Sequence, residues 1–355
     1  MTGTGITLNG DITTSGTQTY TGAVTLGNSL TASSTGASSA GNNISFSSTV
    51  NGARALTITA GTGSITFSST VGNSTALTSL ATTSTHASGT ILTGNVTTTG
   101  TQTYTGPVTL AAATTLARTN STVSFSSTVN SDSSTARALT VSAGSGNITF
   151  TGAVGGAQGL GNISLTGTGT TTFSSTVSAT SLTQNSSTGT TAINGGTITT
   201  SGAQSYGNPV TLGATTTLTS SASGNITFSS TINGAYALTI NTSGATAFNG
   251  VIGATTNLTS ITTDAGGTVS FGGNITTTGA QTYNDAASLT AATTLSASSV
   301  TTGSTLAASS YALTITTDAI ALGGNVSGSG ALVIQPKTNS TTIGIGSGIT
   351  STSCG

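Results

Sequence analysis

Glutamate and tryptophan are missing from this 355-residue chain, and only 3% of its residues are charged. Ordinary soluble domains carry about 25%. The basic residues are Arg54, Arg118, Arg137 and Lys337, and with five aspartates they leave a formal net charge of −1. That balance offers no basic footprint for nucleic acid or for an anionic membrane surface. No apolar run approaches the roughly 18 residues of a membrane helix, which argues against membrane insertion. The one cysteine, Cys354, excludes an intrachain disulfide and leaves a tail thiol or an intermolecular link. Met1-Thr-Gly-Thr-Gly5 enters the repeats directly, so a piece already separated from its targeting context is expected.

Groups for chemistry are equally scarce. His86 is the only histidine, and Asp11, Asp132, Asp264, Asp285 and Asp318 are scattered singly. Polysaccharide hydrolysis or elimination needs paired carboxylates, or a carboxylate beside a base, on one face. Calcium-binding Gly-Gly-x-Gly-x-Asp repeats need regularly placed aspartates. The expectation is a non-enzyme with no catalytic residues, no metal site and no cofactor.

What is present is repetition. The phrase Ile12-Thr-Thr-Ser-Gly-Thr-Gln-Thr-Tyr20 returns at 96–104, 198–206 and 275–283, at unequal intervals. Within this long period runs a shorter frame, Phe-x-x-x-Val/Ile, which holds every phenylalanine: Phe46, Phe67, Phe125, Phe150, Phe173, Phe228, Phe248 and Phe271. Two spacings separate successive frames: a longer one, as from Phe46 to Phe67 or Phe150 to Phe173, and a shorter one, as from Leu92 to Tyr104. The longer step reads as one coil, and the shorter as two strands of that coil. Centres such as Ser48, Gly94, Gly152 and Gly250 predict corners where glycine supplies positive φ. Gly-Asn pairs such as Gly94-Asn95 and Gly146-Asn147 predict a second corner, with asparagine tolerating the left-handed region. Between corners, alternation such as Ile226-Thr-Phe228 predicts strands with one buried face.

A single coil cannot bury its apolar face, so coils must stack. The predicted fold is all-β, a right-handed parallel β-helix (β-solenoid) with coils of about 20–25 residues, in which the eight phenylalanines form a core ladder. One solenoid over 1–355 is expected, in blocks 8–91, 92–193, 194–270 and 271–321 with a partial block 322–355. About 22 residues per coil gives roughly 16 coils and a stack of about 75–80 Å. The interval from Val96 to Ile198 exceeds that from Ile198 to Ile275, and the excess reads as a whole-coil insertion.

Three surface features stand out. Arg54, Arg137, Tyr236 and Tyr311 share the frame x-Ala-Leu-Thr-Ile/Val, which suggests a surface stripe or strand-start residues covering apolar surface with their stems. Thr-x-Thr pairs at Thr17/Thr19, Thr57/Thr59, Thr101/Thr103 and Thr314/Thr316 suggest ice binding, the role of flat threonine ladders on some antifreeze β-solenoids. Pairs several coils apart and coils of uneven length weigh against a regular lattice. Asn-x-Ser/Thr sequons at Asn73, Asn95, Asn120, Asn147, Asn225, Asn274 and Asn339 are what threonine-rich corners generate by chance, the alternative being sites that carry sugars, as in some bacterial adhesins.

The phrases ending at Ile232 (Gly-Asn-Ile-Thr-Phe-Ser-Ser-Thr-Ile), Leu110 (Gln-Thr-Tyr-Thr-Gly-Pro-Val-Thr-Leu) and Pro336 (Gly-Ala-Leu-Val-Ile-Gln-Pro) resemble repeats of filamentous-haemagglutinin-like exoproteins. That resemblance covers most of the chain and implies a secreted bacterial adhesin with a right-handed β-helical shaft. It implies an extracellular or cell-surface location and a structural role. The family's Asn-Pro-Asn-Gly secretion signature and C-terminal anchoring barrel are not in the sequence. Ile6-Thr-Leu8 and Thr342-Ile-Gly-Ile345 carry strand pattern without polar caps, so the expected partner is self, head to tail, or the remainder of a longer chain. A glycan or host surface is the alternative partner.

Overall fold

The computed structural model describes residues 5–35, 41–132, 135–185 and 188–338. Cys354, Asn339 and the 342–345 strand pattern lie outside them. The described residues contain strands and no helix, and every pairing between strands is parallel. About 15 coils stack in this way, which makes the fold a parallel β-solenoid. The chain divides into two compact units, residues 1–190 and 191–355.

Each coil of the first unit contributes strands to three faces. On the Phe46 face, Gln18–Tyr20 pairs with Ile44–Phe46, which pairs with Ile65–Phe67. Val24, Val50, Val71 and Val96 follow on a second face. The third, the Phe125 face, stacks eight strands from Ile12–Thr13 to Thr170–Phe173. Coils there differ in length, since Ile12 lies over Ala32 whereas Leu30 lies over Leu56. The strands nevertheless stay in register because the corners absorb the difference.

The second unit repeats the plan with seven strands on its Leu218 face, from Thr197–Thr200 to Ala319–Leu322. Its Phe228 face runs from Gln204–Tyr206 through Ile226–Phe228 and Ala245–Phe248 to Thr268–Phe271. Ile232, Ile252 and Ile275 line its third face.

Parallel register places each inward residue over its counterpart, so aromatic rings stack. In the first unit Tyr20, Phe46 and Phe67 have ring centroids 4.7 and 5.2 Å apart. Tyr104, Phe125, Phe150 and Phe173 follow at 5.1, 4.9 and 5.4 Å. In the second, Tyr206, Phe228, Phe248 and Phe271 stand at 4.9, 5.6 and 6.4 Å. These separations follow the interstrand spacing of about 4.8 Å. All eight phenylalanines are buried.

Each stack begins with the tyrosine of a nine-residue phrase, and within a unit the next phrase falls on a different face. Four returns to the Phe46 face carry Gln18 to Val108, whereas the second phrase's Gln102 lies one face earlier. Four returns from Gln204 reach Ala287, and Gln281 again lies one face earlier. Both intervals therefore span three coils and two of three faces. In the first unit the aromatic stack changes face at the second phrase; in the second unit Tyr283 is registered over Thr302 and meets Phe271 edge-on.

Two corner expectations need revision. Gly94, Gly152 and Gly250 are not among the positive-φ residues. A Cβ on Gly152 would collide with the backbone of Ser127, and one on Gly250 with that of Ser230, so close approach of coils requires glycine there. The Gly-Asn asparagines are not left-handed either; among the described non-glycine residues only Asn120, Ser223 and Ser309 are. Instead, Asn95 Oδ1 accepts the N–H of Thr115 at 2.8 Å, and Asn147 Oδ1 that of Thr170 at 2.9 Å. The asparagine clamps the following coil rather than bending its own backbone.

Phe150 is sandwiched between Phe125 and Phe173. Phe150→Ala should reduce the stability of the first unit by about 3–5 kcal/mol, measured by chemical denaturation followed by strand circular dichroism.

Candidate functional site

The constellation that recurs most faithfully is the phrase itself. In its second copy, Gln102 Nε2 donates to Val96 O (3.4 Å), Thr98 Oγ1 (3.2 Å) and Ala117 O (3.2 Å). Thr98 Oγ1 donates to Gly100 O at 2.7 Å, and the Tyr104 hydroxyl donates to Gln102 Oε1 at 3.1 Å. The same five bonds form around Gln18, Gln204 and Gln281. Each phrase thus ties its own isoleucine or valine carbonyl, second threonine, glutamine and tyrosine together, and the glutamine amide carries one bond on to the next coil.

These groups are buried: Gln102, Gln204 and Gln281 are 0% exposed and Gln18 is 5% exposed. A buried phenol needs a partner, and the glutamine carbonyl is it. Burial pushes the hydroxyl pKa of Tyr20, Tyr104, Tyr206 and Tyr283 upward. Each neutral phenol is thus hydrogen-bonded to the glutamine two residues earlier in its own strand.

The carboxylates are also engaged in holding the fold. Asp11, Asp264, Asp285 and Asp318 accept backbone N–H groups of Thr31, Thr242, Gly267 and Thr338 at 2.7–2.9 Å. Asp132 pairs with Arg137 through two 2.8 Å bonds, and this hydrogen-bonded guanidinium holds its carboxyl below the usual range. His86 sits in an exposed turn, where Nδ1 accepts the Ser88 N–H at 3.1 Å. Among the described residues, no three His, Cys, Asp or Glu side chains gather as a metal ion would require. No helix there is long and apolar enough to cross a membrane.

Arg54, Arg137, Tyr236 and Tyr311 do not line up. Arg54 precedes Leu56 on the Phe125 face, whereas Arg137 precedes Leu139 on the Val50 face. In the second unit, Tyr236 precedes Leu238 on the Leu218 face and Tyr311 precedes Leu313 on the Ile252 face. Their shared frame turns with the blocks. The sequon residues Asn95, Asn120, Asn147, Asn225 and Asn274 are coil clamps, each accepting a backbone N–H at 2.8–3.0 Å.

The Thr-x-Thr pairs look different in three dimensions. Thr57/Thr59 is not isolated: Thr31/Ser33 lies on one side and Ala81/Thr83 on the other. Thr103/Thr105 stacks next.

Sequence reasoning missed the four glutamines, although their place in every phrase, two residues before tyrosine, was a legible signal. It also missed Arg118, whose buried guanidinium has one 3.4 Å bond, to Asn147 O, and whose pKa burial pushes down to about 10. A further concavity of about 290 Å³ in the first unit is lined by Ser131, Asp132, Gln158, Ser178 and Thr180 among others.

No family model, no curated protein and no solved structure matches the chain.

Gln102→Leu should cost about 1–3 kcal/mol by stranding the Tyr104 hydroxyl. Adding Tyr104→Phe should restore part of that, giving a coupling of about 0.5–3 kcal/mol in a double-mutant cycle. Asp285 is buried with Oδ2 unpartnered, and burial raises its pKa. Its protonated form therefore suits the fold, and its contribution to stability is lost as pH rises through the folded-state pKa. Asp285→Asn should raise the denaturation midpoint at neutral pH more than at acidic pH; an equal change at both would contradict this.

Proposed function

We propose that the chain is a structural, non-catalytic segment of an extracellular β-helical shaft or fibre, of the kind bacterial surface adhesins use. One observation carries this reading. The constellation repeated four times is a buried coil-to-coil fastener, as are the aromatic stacks and the asparagine clamps. Repetition in this chain serves length and surface. The resemblance to filamentous-haemagglutinin-like repeats supports the same role and a cell-surface location.

Head-to-tail assembly belongs to this proposal. Leu332 and Val333, in the strand Leu332–Gln335, are 51% and 43% exposed. An apolar strand of that kind accepts a further parallel strand, from the chain's own continuation or from a second copy. A second reading, a glycan-binding module, is favoured by the concavity whose hydroxyls, Gln158 amide and Asp132 carboxylate are groups that hydrogen-bond sugars.

Sedimentation and negative-stain imaging of the purified chain should show thin, concentration-dependent filaments. A monodisperse monomer at every concentration would reject assembly, and retention on a glycan array abolished by Asp132→Asn would favour the second reading.

A further inference from the structure

The outer surface of the Phe125 face carries two unbroken ranks of small side chains, nearly all of them hydroxyls. The first is Thr31, Thr57, Ala81, Thr103, Ser124, Thr149 and Thr172, each the register partner of the next. The second is Ser33, Thr59, Thr83 and Thr105 by register. It continues through Ser126, Thr151 and Ser174, whose N–H groups donate to Tyr104 O, Phe125 O and Phe150 O at 2.9–3.0 Å. Seven consecutive coils thus present fourteen positions, of which all but Ala81 bear a hydroxyl.

We propose that this double rank is an ice-binding face. Register makes it a lattice: neighbours within a rank are about 4.8 Å apart, and the two ranks about 6.6–6.8 Å apart. Both distances lie near repeat distances between oxygen atoms in hexagonal ice. Uneven coil length does not spoil the lattice, because residues are added at corners. The one register irregularity near it falls after Thr83, at Ser84.

Chemistry and rigidity point the same way. Apart from Ser33, which bonds Thr35, these hydroxyls make no hydrogen bond to the protein among the described residues. They are free to join ordered water. Threonine adds a methyl group and a stiff χ1, so little side-chain freedom is lost on binding. Behind the ranks, the Tyr104–Phe173 stack holds the sheet from inside.

Charge matching selects the occupant. None of the fourteen positions is charged, as suits an uncharged solid and not an acidic or basic polymer. No outward aromatic ring stands among them to stack on a sugar.

Ice binding does not depend on the adhesin reading and is tested separately. The purified full chain is assayed for ice recrystallisation inhibition, and for fluorescence when a labelled sample is incorporated into a growing ice hemisphere. The wild-type protein should inhibit growth and label defined ice planes. Thr103→Tyr and Thr149→Tyr, outward changes that strands tolerate, break the plane. They should weaken inhibition by on the order of 10²-fold, as when geometry forbids simultaneous engagement. Thr66→Tyr, on the outer surface of the Phe46 face, is the control and should leave inhibition intact; circular dichroism confirms that all three variants are folded. Inhibition no greater than that of an inert protein would overturn the proposal. So would equal loss in Thr66→Tyr, or adsorption to crystalline polysaccharide but not to ice.

Discussion

In a parallel ladder every inward side chain lies over its counterpart one coil away, at the separation of neighbouring strands. That constraint organises the rest of this protein. It brings phenylalanine over phenylalanine with nearly parallel rings, as for Phe125 and Phe150 at an interplanar angle of 2°. It brings Asn95, Asn147, Asn225 and Asn274 within reach of the next coil's backbone, and sets threonine over threonine outside. With 3% charged residues there is little long-range electrostatics to compete, and cohesion comes from burial and short hydrogen bonds.

The nine-residue phrase solves a problem created by that stacking. A ladder of identical rings has no internal mark of register, and a slip would cost little. A buried glutamine with three acceptors for its amide and a tyrosine on its carbonyl fits one arrangement only. Such a cluster is costly if left half satisfied, so it specifies where a stack begins. Spacing the phrases by three coils and two faces starts the two stacks of the first unit on different faces.

Much of this was legible in the sequence. Alternating strands, coil length and burial of the phenylalanines follow from periodicity, because apolar side chains at period two have one way to become dry. The phase of the long repeat was not legible. Corner lengths vary, so the step along the chain from Ile12 to Val96 does not say which face is reached. For the same reason Arg54 and Arg137 share a frame without sharing a face, and the threonine ranks were invisible as ranks. Thr31, Thr57, Thr103 and Thr149 fall at irregular sequence intervals and become neighbours only after the corners are folded. The glutamines were overlooked because an isolated polar residue in a threonine-rich strand reads as surface, while its pairing with tyrosine is a tertiary fact.

The central claim is that the four phrase tyrosines are held in a dry interior by buried glutamines. A spectrophotometric titration of the chain carrying Tyr236→Phe and Tyr311→Phe tests it most directly, since only Tyr20, Tyr104, Tyr206 and Tyr283 remain. Burial raises the pKa of all four. Phenolate absorbance should therefore appear only as strand circular dichroism is lost at alkaline pH, the two signals changing together. Phenolate formation with the strand signal intact would contradict the account.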